Sequence, residues 1–428
     1  MHIFKNFKNF SAAEVDLMRP LALLIGRNGS GKSNLIEGVE LLAELAHGRP
    51  LYEISDLGRG SGSTFEVRGG LPGCIKYGTA GAKFSLGFQT NWKQQNFIYT
   101  IAICFDGLDG SVNISEEKLV CDDGIIFSAK TGKREDILDV EYDDLKVGVI
   151  KSSTHLPSDR SVLSRYASFS NIDFSNHKHR SIFDLVLSLG GRLNIAFVFD
   201  LIPKQMRNYE RIGQILLARD GSNLSSVLYG LSQGDKDHRK ALNRILERLK
   251  QLPEEPFGDF EFVKTQLNDV LLALKCTDGS LADARLLSDG TLRALAILTA
   301  LETVPEHSRI IIEEMDNGIH PSRVKMLVDA IWDCGKRRNL NVLATTHNPA
   351  TLNCLSDEQL EAVVLCHYDH EAETSRLTPL LDLPRVDVLL ERGLLGDLVT
   401  RQILDQHLAP NFDEEQKQKA KTWLESLT

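Results

Sequence analysis

Apolar and polar positions change their spacing several times along the chain, and each change predicts a different kind of element. The first fifty residues contain three short apolar runs that predict strands. A glycine-rich stretch follows, and after it apolar residues recur at the three- and four-residue spacing of a helix. The predicted strands are His2–Phe7, Ala13–Leu17 and Leu21–Ile25, and the helix carries Leu35, Val39, Leu42 and Ala46.

The next segment, to about residue 150, alternates apolar and polar positions as strands do. Its short runs include Lys83–Gln89, Phe97–Phe105 and Val112–Ser115, and they are separated by turn-forming pairs such as Asp123-Gly124. We therefore expect antiparallel hairpins. From residue 155 to 250 the spacing becomes helical, which predicts a helical insertion.

The last part of the chain alternates apolar strands with helices, which is typical of an α/β core. The predicted strands are Gln266–Leu274, Arg309–Ile312, Asn341–Thr345 and Ala362–Cys366, and the predicted helices are Leu292–Leu301 and the segment after Pro321. The core is thus split along the chain. We expect an N-terminal lobe at 1–150, a helical insertion at 151–257 and a C-terminal lobe at 258–428 that ends in a helical tail at 413–426.

Composition narrows the class of protein. The 428 residues are 42% apolar, which is enough for a substantial core, and no stretch approaches the ~20 apolar residues of a membrane span. We expect a cytoplasmic protein that does not enter a membrane. Its seven cysteines are scattered without a C-x-x-C pair, which favours reduced thiols over a zinc site.

A net charge of −10 argues against a protein that coats nucleic acid over its whole surface, although a local basic face remains open. The basic segment Lys236–Lys250 is one candidate, and we favour a solvated helix face over a phosphate-contacting one. The clusters at 177–180 and 367–370 lack metal-ligand spacing, and we predict that both are loops.

The glycine-rich stretch from Gly26 to Ser33 reads G-R-N-G-S-G-K-S, and it lies between the predicted strand and helix. In that position the pattern is a P-loop, whose amide groups bind phosphate oxygens. Lys32 is expected to reach the β- and γ-phosphates of ATP, and the Ser33 hydroxyl to bind Mg²⁺. The alternative is a glycine turn that merely precedes a helix.

A second motif is the apolar strand Arg309–Ile312, which ends in Glu313 and Glu314. Adjacent residues of a strand point to opposite faces, so the two carboxylates can take different roles. We expect Glu313 to hold the metal ion through water and Glu314 to act as the general base on the attacking water. The alternative is a strand that ends in two solvated acids.

Two further segments are candidates for contacts with phosphate. Ser288 and Gly290 stand at the start of an apolar helix, where they form a second anion site that a second subunit would explain. Alone, this segment is more often an ordinary helix cap. His347 follows a predicted strand, and we expect it to bond a γ-phosphate and sense its loss, although a lone histidine is more often structural.

Taken in order, these motifs resemble those of the ABC-type ATPases in the RecF, structural-maintenance-of-chromosomes (SMC) and OLD grouping. The chain is most similar to the bacterial AAA-family ATPases of that grouping, many of which belong to anti-phage defence systems. The opening Ile3–Phe7 is similar as well, and the resemblance covers residues 1–50 and about 280–370. It implies an α/β fold in which a P-loop ABC-type ATPase core is split by the hairpin lobe and the helical insertion.

The resemblance also implies roles for individual positions. Catalysis would fall to Glu314, the switch residue His347 and Lys32, and Ser33 and Glu313 would hold Mg²⁺. The nucleotide contacts would be Arg27, Asn28, Gly29, Ser30, Gly31, Lys32, Ser33 and Asn34 of the chain itself, with Ser288 and Gly290 of the opposite subunit.

Two of the motifs depart from the pattern of the family, and one family residue has no clear match. Glu313 replaces the commoner aspartate, and Asp289–Thr291 replaces Gly-Gly-Gln. The glutamine of the family's Q-loop has no clear match, with Gln89 as a weak candidate, whereas Asn317 falls in the loop that crosses the dimer interface in the family.

The expected function is an ATP-driven switch in which a homodimer, or a higher homo-oligomer, closes around ATP and reopens on hydrolysis. About eighty residues follow His347, too few for the nuclease domain of OLD-type proteins, so a nuclease or other effector would be a separate chain of an anti-phage complex. The alternative is a repair ATPase that binds DNA directly. A transporter subunit is disfavoured by the long insertion.

Overall fold

The computed structural model describes residues 1–55, 65, 67–79, 81–92, 94–105, 110–143, 151–170, 177–194, 196–252 and 257–408. The chain divides into two units. Unit 1 comprises Met1–Met18, Asn28–Ala196 and Tyr368–Leu377. Unit 2 comprises Arg19–Arg27, Phe197–His367 and the residues from Thr378 onward.

The strands are β1 His2–Phe7, β2 Phe10–Val15, β3 Ala22–Ile25, β4 Lys83–Trp92, β5 Gln95–Phe105, β6 Val112–Cys121, β7 Gly124–Thr131, β8 Ile137–Asp143, β9 Lys151–Pro157, β10 Ala196–Phe199, β11 Glu210–Arg211, β12 Phe257–Lys264, β13 Asp269–Cys276, β14 Leu281–Asp283, β15 Arg309–Ile312, β16 Asn341–Thr346, β17 Val363–Asp369 and β18 Thr374–Pro379.

The α-helices are α1 Lys32–Ala46, α2 Leu51–Ser55, α3 Val162–Phe169, α4 His177–Asn194, α5 Leu224–Gln233, α6 Lys236–Leu249, α7 Asp289–Thr303, α8 Pro321–Arg338, α9 Pro349–Asn353, α10 Asp357–Leu360, α11 Val386–Leu390, α12 Leu395–Thr400 and α13 Ile403–His407. Short 3₁₀ turns cover Pro72–Cys74, Gln205–Arg207 and Leu380–Asp382.

Unit 1 is built on an eight-stranded sheet of order β2-β1-β4-β5-β6-β7-β8-β9, in which every neighbouring pair is antiparallel. The predicted hairpins are therefore confirmed. Helix α1 packs on this sheet, and Gly38 lets it approach closely, because a Cβ there would lie 2.6 Å from the Phe4 ring. Phe4, Phe7 and Phe10 are fully buried and form the packing surface beneath the helix.

Most strands of the second sheet, whose order is β10-β15-β16-β3-β17-β18, lie in unit 2. Strands β15, β16, β3 and β17 run parallel to one another. All four residues of β3 and of β15 are buried, as is typical of parallel strands covered on both faces. Helix α7 is buried over almost its whole circumference, which confirms the prediction from its composition.

A smaller antiparallel sheet, β11-β13-β12 with β14 on β13, completes unit 2 together with α5 and α6. Helix α6 buries the stripe Ala241, Ile245, Leu246 and Leu249. On its outer face Arg244 pairs with Glu302 and Arg248 pairs with Asp333, so these charges are engaged within the protein. This arrangement supports the prediction of a solvated face.

Other predictions from the sequence differ from the structure. The segment from 151 to 257 is not one helical unit, because β9 belongs to the first sheet and β10 to the second. The division between the units falls at Ala196 instead. Two predicted loops are wrong: α4 begins at His177, and β17 extends to Asp369, so residues 367–369 are strand. The predicted tail helix at 413–426 lies outside the described residues.

Within the described part of the chain, no helix has both the length and the apolar character needed to cross a membrane.

Candidate functional site

The candidate site of unit 2 lies at one edge of its parallel sheet. Ile25 at the end of β3 pairs with Thr346 at the end of β16, and Ile312 at the end of β15 pairs with Ala344. Because parallel strands place their carboxyl ends at the same edge, the residues that follow them leave the sheet together. The structure thus gathers at this edge Gly26 and Arg27, the pair Glu313 and Glu314, and His347.

The rest of the glycine-rich loop belongs to unit 1. Gly29 and Gly31 have φ angles of 81° and 114°, in the left-handed region that favours glycine. Helix α1 begins directly after them, and no side chain caps its N-terminus. No acidic residue occurs in its first turn. A glycine at the N-cap supplies no side-chain acceptor of its own, so the positive end of the helix dipole favours an anion.

The side chains of this loop differ in exposure. Lys32, Ser33 and Asn34 are half-buried at the start of α1. Arg27, Asn28 and Gly29 are exposed, whereas Ser30 and Gly31 are buried. The exposed part of the loop and the half-buried Lys32 are therefore the parts that a ligand in solution can reach.

Asn9 and Ser375, which the sequence did not single out, hold this loop by hydrogen bonds. The Ser30 carbonyl oxygen accepts hydrogen bonds from the Asn9 amide at 3.4 Å and from the Ser375 hydroxyl. Asn9 also accepts a bond from Asn34 at 2.8 Å, and a Cβ on Gly31 would lie 2.6 Å from the Asn9 amide. Asn9 stands in the β1–β2 turn beside the family-like Ile3–Phe7, whereas nothing in the sequence points to Ser375.

The turn after β15 holds the two predicted carboxylates. Glu313 is half-buried and Glu314 is exposed, and both lie beyond the last strand residue, Ile312. The expectation that they alternate as strand residues is therefore wrong, because the backbone has already turned. Glu314 has a φ of 45°, in the left-handed region, which is costly for a residue with a side chain.

Several hydrogen bonds hold Glu314 in this conformation. Its N–H donates to the Thr345 hydroxyl at 2.9 Å, and the next N–H, of Met315, donates to the Thr345 carbonyl at 3.1 Å. The Glu314 carboxylate accepts a hydrogen bond from the Asn317 amide at 3.0 Å. The carboxylate is thus exposed but oriented, as a base that positions a water molecule needs to be.

Asp316 connects this turn to the predicted switch histidine. It is buried and accepts hydrogen bonds from the hydroxyls of Thr346 and Thr351. His347 follows Thr346 directly and is exposed, and Asn348 caps α9 immediately after it. The two threonines and the Asn348 cap therefore fix the backbone on both sides of His347.

The Ser288–Thr291 segment has a structural role within the chain. Ser288 caps α7 by accepting a hydrogen bond from the Thr291 N–H at 3.1 Å. Gly290 is buried, and a Cβ there would lie 2.6 Å from the Gly318 carbonyl oxygen. Arg207, a residue that the sequence did not single out, holds Asp289 at 2.7 Å. The cap that we weighed as the alternative is therefore present, and contact with a second subunit stays a prediction.

Gln89 lies in β4, and its amide donates to the Asn96 side chain at 3.1 Å in the neighbouring strand. Its hydrogen bond belongs to the sheet of unit 1. The position of a Q-loop glutamine stays unassigned.

The residues present fit a magnesium–nucleotide complex better than a free metal ion. Among the described residues, no group of three or more His, Cys, Asp or Glu side chains could hold a metal. Mg²⁺ often uses only one or two protein ligands, with phosphate oxygens and water as the rest. The uncapped start of α1, with Lys32 and the Ser33 hydroxyl, is suited to the phosphates of such a complex.

Fold and site together define a P-loop α/β protein of the nucleotide-binding class. Residues 21–353 match the family described as AAA domain, putative AbiEii toxin, Type IV TA system, and the chain belongs to this family.

Short stretches are also similar to the DNA replication and repair protein RecF of two bacteria. The identity is 40% over 55 residues for the protein of Gloeobacter violaceus, covering 13% of this chain and 15% of that one. It is 51% over 41 residues for the protein of a Picosynechococcus species, covering 10% and 11%. The matches thus span only a small part of either relative.

Two solved SMC head domains cover 88% of this chain. One is bound to the C-winged helix domain of ScpA, with a TM-score of 0.46, 10% identity and 95% of its own length covered. The other comes from Thermotoga maritima, with a TM-score of 0.41, 11% identity and 97% covered. The family assignment confirms the predicted resemblance to ABC-type ATPases of the RecF and SMC grouping.

Replacing Gly290 by alanine tests the packing of the signature segment. The new methyl group would push against the main chain at Gly318 and Ile319, so we expect a loss of about 1–3 kcal/mol in the free energy of unfolding. Gly230→Ala in α5 is the matched control, since its Cβ has ordinary room, 3.6 Å from the Gln214 oxygen, and a helical alanine is favoured. Denaturant unfolding of both variants measures their free energies of unfolding. Equal values for the two would contradict the close packing at Gly290.

Proposed function

We propose that this member of the ATPase family is an ATP-hydrolysing switch that acts as a homodimer, and that it serves as the sensor and motor subunit of an anti-phage complex with a separate effector. The single observation that carries the ATPase part is the shared carboxyl edge of β3, β16 and β15. From that edge the chain continues into the glycine-rich loop, the two glutamates and the histidine.

The phosphates bind to the amide groups of the loop and the start of α1, with Lys32 supplying the positive charge. The remaining residues of the loop that we assign to the nucleotide are Arg27, Asn28, Gly29, Ser30, Gly31, Ser33 and Asn34. Asn9 and Ser375 act indirectly by holding the Ser30 carbonyl. The support for this assignment is the uncapped helix start.

Hydrolysis requires a base that orients water, and Glu314 is our candidate. Its side chain is exposed, and Asn317 orients it. Bound Mg²⁺, held by Ser33 and through water by Glu313, would neutralise phosphate charge. His347 donates a hydrogen bond to the γ-phosphate and loses that partner on hydrolysis, and Asp316 transmits the loss to the turn that carries Glu314.

The second subunit would contribute Ser288 and Gly290 to the nucleotide of its partner, with Asn317 in the loop between them. Ser288 is exposed at the start of α7, where a second copy can reach it. The Ser288 oxygen accepts the cap bond and lies 2.6 Å from the Thr291 hydroxyl oxygen. When Thr291 donates in that contact, the Ser288 hydroxyl hydrogen can point to a phosphate.

A separately encoded counterpart is supported by the family description, which names a putative toxin of a toxin–antitoxin system, whereas the effector itself is our proposal. The alternative is a DNA repair ATPase that binds DNA directly, and the two RecF matches favour it. The pairing of Arg244 and Arg248 with carboxylates speaks against α6 as its DNA contact.

Lys32→Ala and Glu314→Gln separate binding from hydrolysis. We expect Lys32→Ala to weaken MgATP binding on the order of a hundredfold, because it removes the charge beside the phosphates. Glu314→Gln should bind ATP normally and hydrolyse it on the order of a hundredfold more slowly. Lys5→Ala and Glu306→Gln, both exposed, are the controls. Calorimetry and phosphate release measure the two steps, and normal turnover in Glu314→Gln would move the base elsewhere.

Dimerisation is tested in the Glu314→Gln background, where ATP persists. ATP should shift this protein from monomer to dimer in light scattering. Adding Ser288→Asp keeps a capping oxygen for α7 but places a negative charge against the phosphate of the partner, so the dimer should be lost. Ser288→Thr keeps the hydroxyl and should still dimerise. If all three proteins show the same ATP-independent assembly, the two-subunit mechanism is wrong.

The partner is tested by expressing tagged Glu314→Gln with the genes that flank its own in the native genome. We expect one neighbouring product to copurify in a fixed ratio, and only with ATP. In parallel, fluorescence anisotropy with a duplex of roughly 30 base pairs at ~150 mM salt should show only the weak binding of non-specific association. Nanomolar binding of DNA ends without a partner would replace the defence proposal with direct DNA repair.

A further inference from the structure

A buried arginine lies between the start of α7 and the turn that carries Glu314. Arg293 is in the second turn of α7, five positions after Ser288, and only 7% of its surface is exposed. It is the one charged residue in the stretch Leu292–Leu301, whose other residues are apolar except Thr299. Burial of a charge is costly unless it is paired and hydrogen-bonded, so its contacts need an explanation.

The guanidinium group of Arg293 bonds to main-chain oxygens on two different segments. One terminal nitrogen donates to the Leu201 carbonyl at 2.8 Å, in the segment after β10. The other donates to the Glu314 carbonyl at 3.4 Å, a longer and weaker bond. The Nε atom is buried and has no hydrogen-bond partner among the described residues. The side chain therefore bridges three segments of unit 2.

The surrounding charges explain why the group stays ionised. Burial lowers the pKa of Arg293, and four carboxylates oppose that effect: Asp200, Glu314, Asp289 and Asp316. Glu314 and Asp316 lie in the turn after β15, and Asp289 lies in the Ser288–Thr291 segment. The negative charges of the segments that Arg293 connects therefore stabilise its positive charge.

Glu314 is the residue most sensitive to this bridge. Its left-handed backbone is unfavourable for a residue with a side chain, and the surrounding bonds must hold it there. Thr345 fixes its N–H from β16, and Arg293 fixes its carbonyl from α7. The Glu314 carbonyl also accepts a hydrogen bond from the Asn317 N–H at 2.9 Å within the turn. Without Arg293 the turn therefore keeps its own bonds and those to Thr345, but it loses the hydrogen bond that ties Glu314 to α7. The carboxylate can then leave the orientation that Asn317 supports.

We propose that Arg293 is a positioning residue that makes the orientation of Glu314 depend on the placement of α7 within the same subunit. This inference rests on the proposed function, in which Glu314 orients the attacking water. Contact of a phosphate with the Ser288 end of α7 would then be transmitted to the base of that subunit's own site. Gly290 against Gly318 supports the same link, since the start of α7 packs directly on the loop that follows Glu314.

The test compares Arg293→Met and Arg293→Lys with a matched control. Arg338→Met removes a comparable pair of bonds at the other end of α7, to the carbonyls of Leu301 and Val304. We expect Arg293→Met to lower kcat more than about tenfold while MgATP binding and KM stay within about threefold. Arg293→Lys keeps the charge but has a single nitrogen in place of the two that reach separate carbonyls, so its kcat should lie between those of Arg293→Met and the wild type. Arg338→Met should lower Tm but keep kcat within about threefold.

A double-mutant cycle separates positioning from general stability. If Arg293 acts through Glu314, adding Arg293→Met to Glu314→Gln lowers the residual rate no further. An equal loss in both backgrounds, or a wild-type kcat in Arg293→Met, would overturn the inference. If Arg293→Met does not fold, Arg293→Lys decides, and wild-type kcat in that variant is the contrary result. Failure of the proposed function is distinct, since the wild type itself would then show no turnover.

Discussion

The parallel pairing of β3 with β16, and of β16 with β15, is the constraint on which the rest of unit 2 depends. Each strand is short and buried, so its direction and register are fixed by hydrophobic contacts on both faces. That register decides which residues leave the sheet at the same edge. A slip of one residue would reverse the faces of every side chain and separate the segments that meet there.

On this edge, polar side chains stabilise backbone that would otherwise be unfavourable. Glu314 adopts a left-handed conformation because Thr345, Asn317 and Arg293 each bond to it. Strain of this kind is typical of functional positions, where the surrounding structure determines one geometry. The same logic applies in unit 1, where Asn9 and Ser375 hold the loop before α1.

Much of the fold was predictable, and so was the position of the candidate site. The strand Arg309–Ile312 was predicted with its observed ends, because three consecutive isoleucines follow Arg309 and Glu313 ends the apolar run. The insertion was wrongly predicted as one helical unit, and the reason is physical. Strand β10 is only four residues long and pairs with β15, more than a hundred positions away. The spacing of apolar residues within a short segment cannot indicate such a distant partner.

The site residues that the sequence did not predict also depend on contacts between distant segments. Arg293, Ser375 and Arg207 act through contacts between segments far apart in the chain, and single side chains within apolar or polar runs give no periodic signal. Asn9 was closer to detection, since it lies in a turn that the resemblance already included. Glu313 and Glu314 were found by type and position, but their orientation was not, because the strand ends one residue before them.

The most direct test of the central claim is hydrogen–deuterium exchange of the Glu314→Gln protein with and without MgATP. If the phosphates bind to the uncapped start of α1, the amides of residues 29–34 should exchange more slowly with MgATP, and Lys32→Ala should remove that protection. Binding of ATP with no change at those amides would contradict the account.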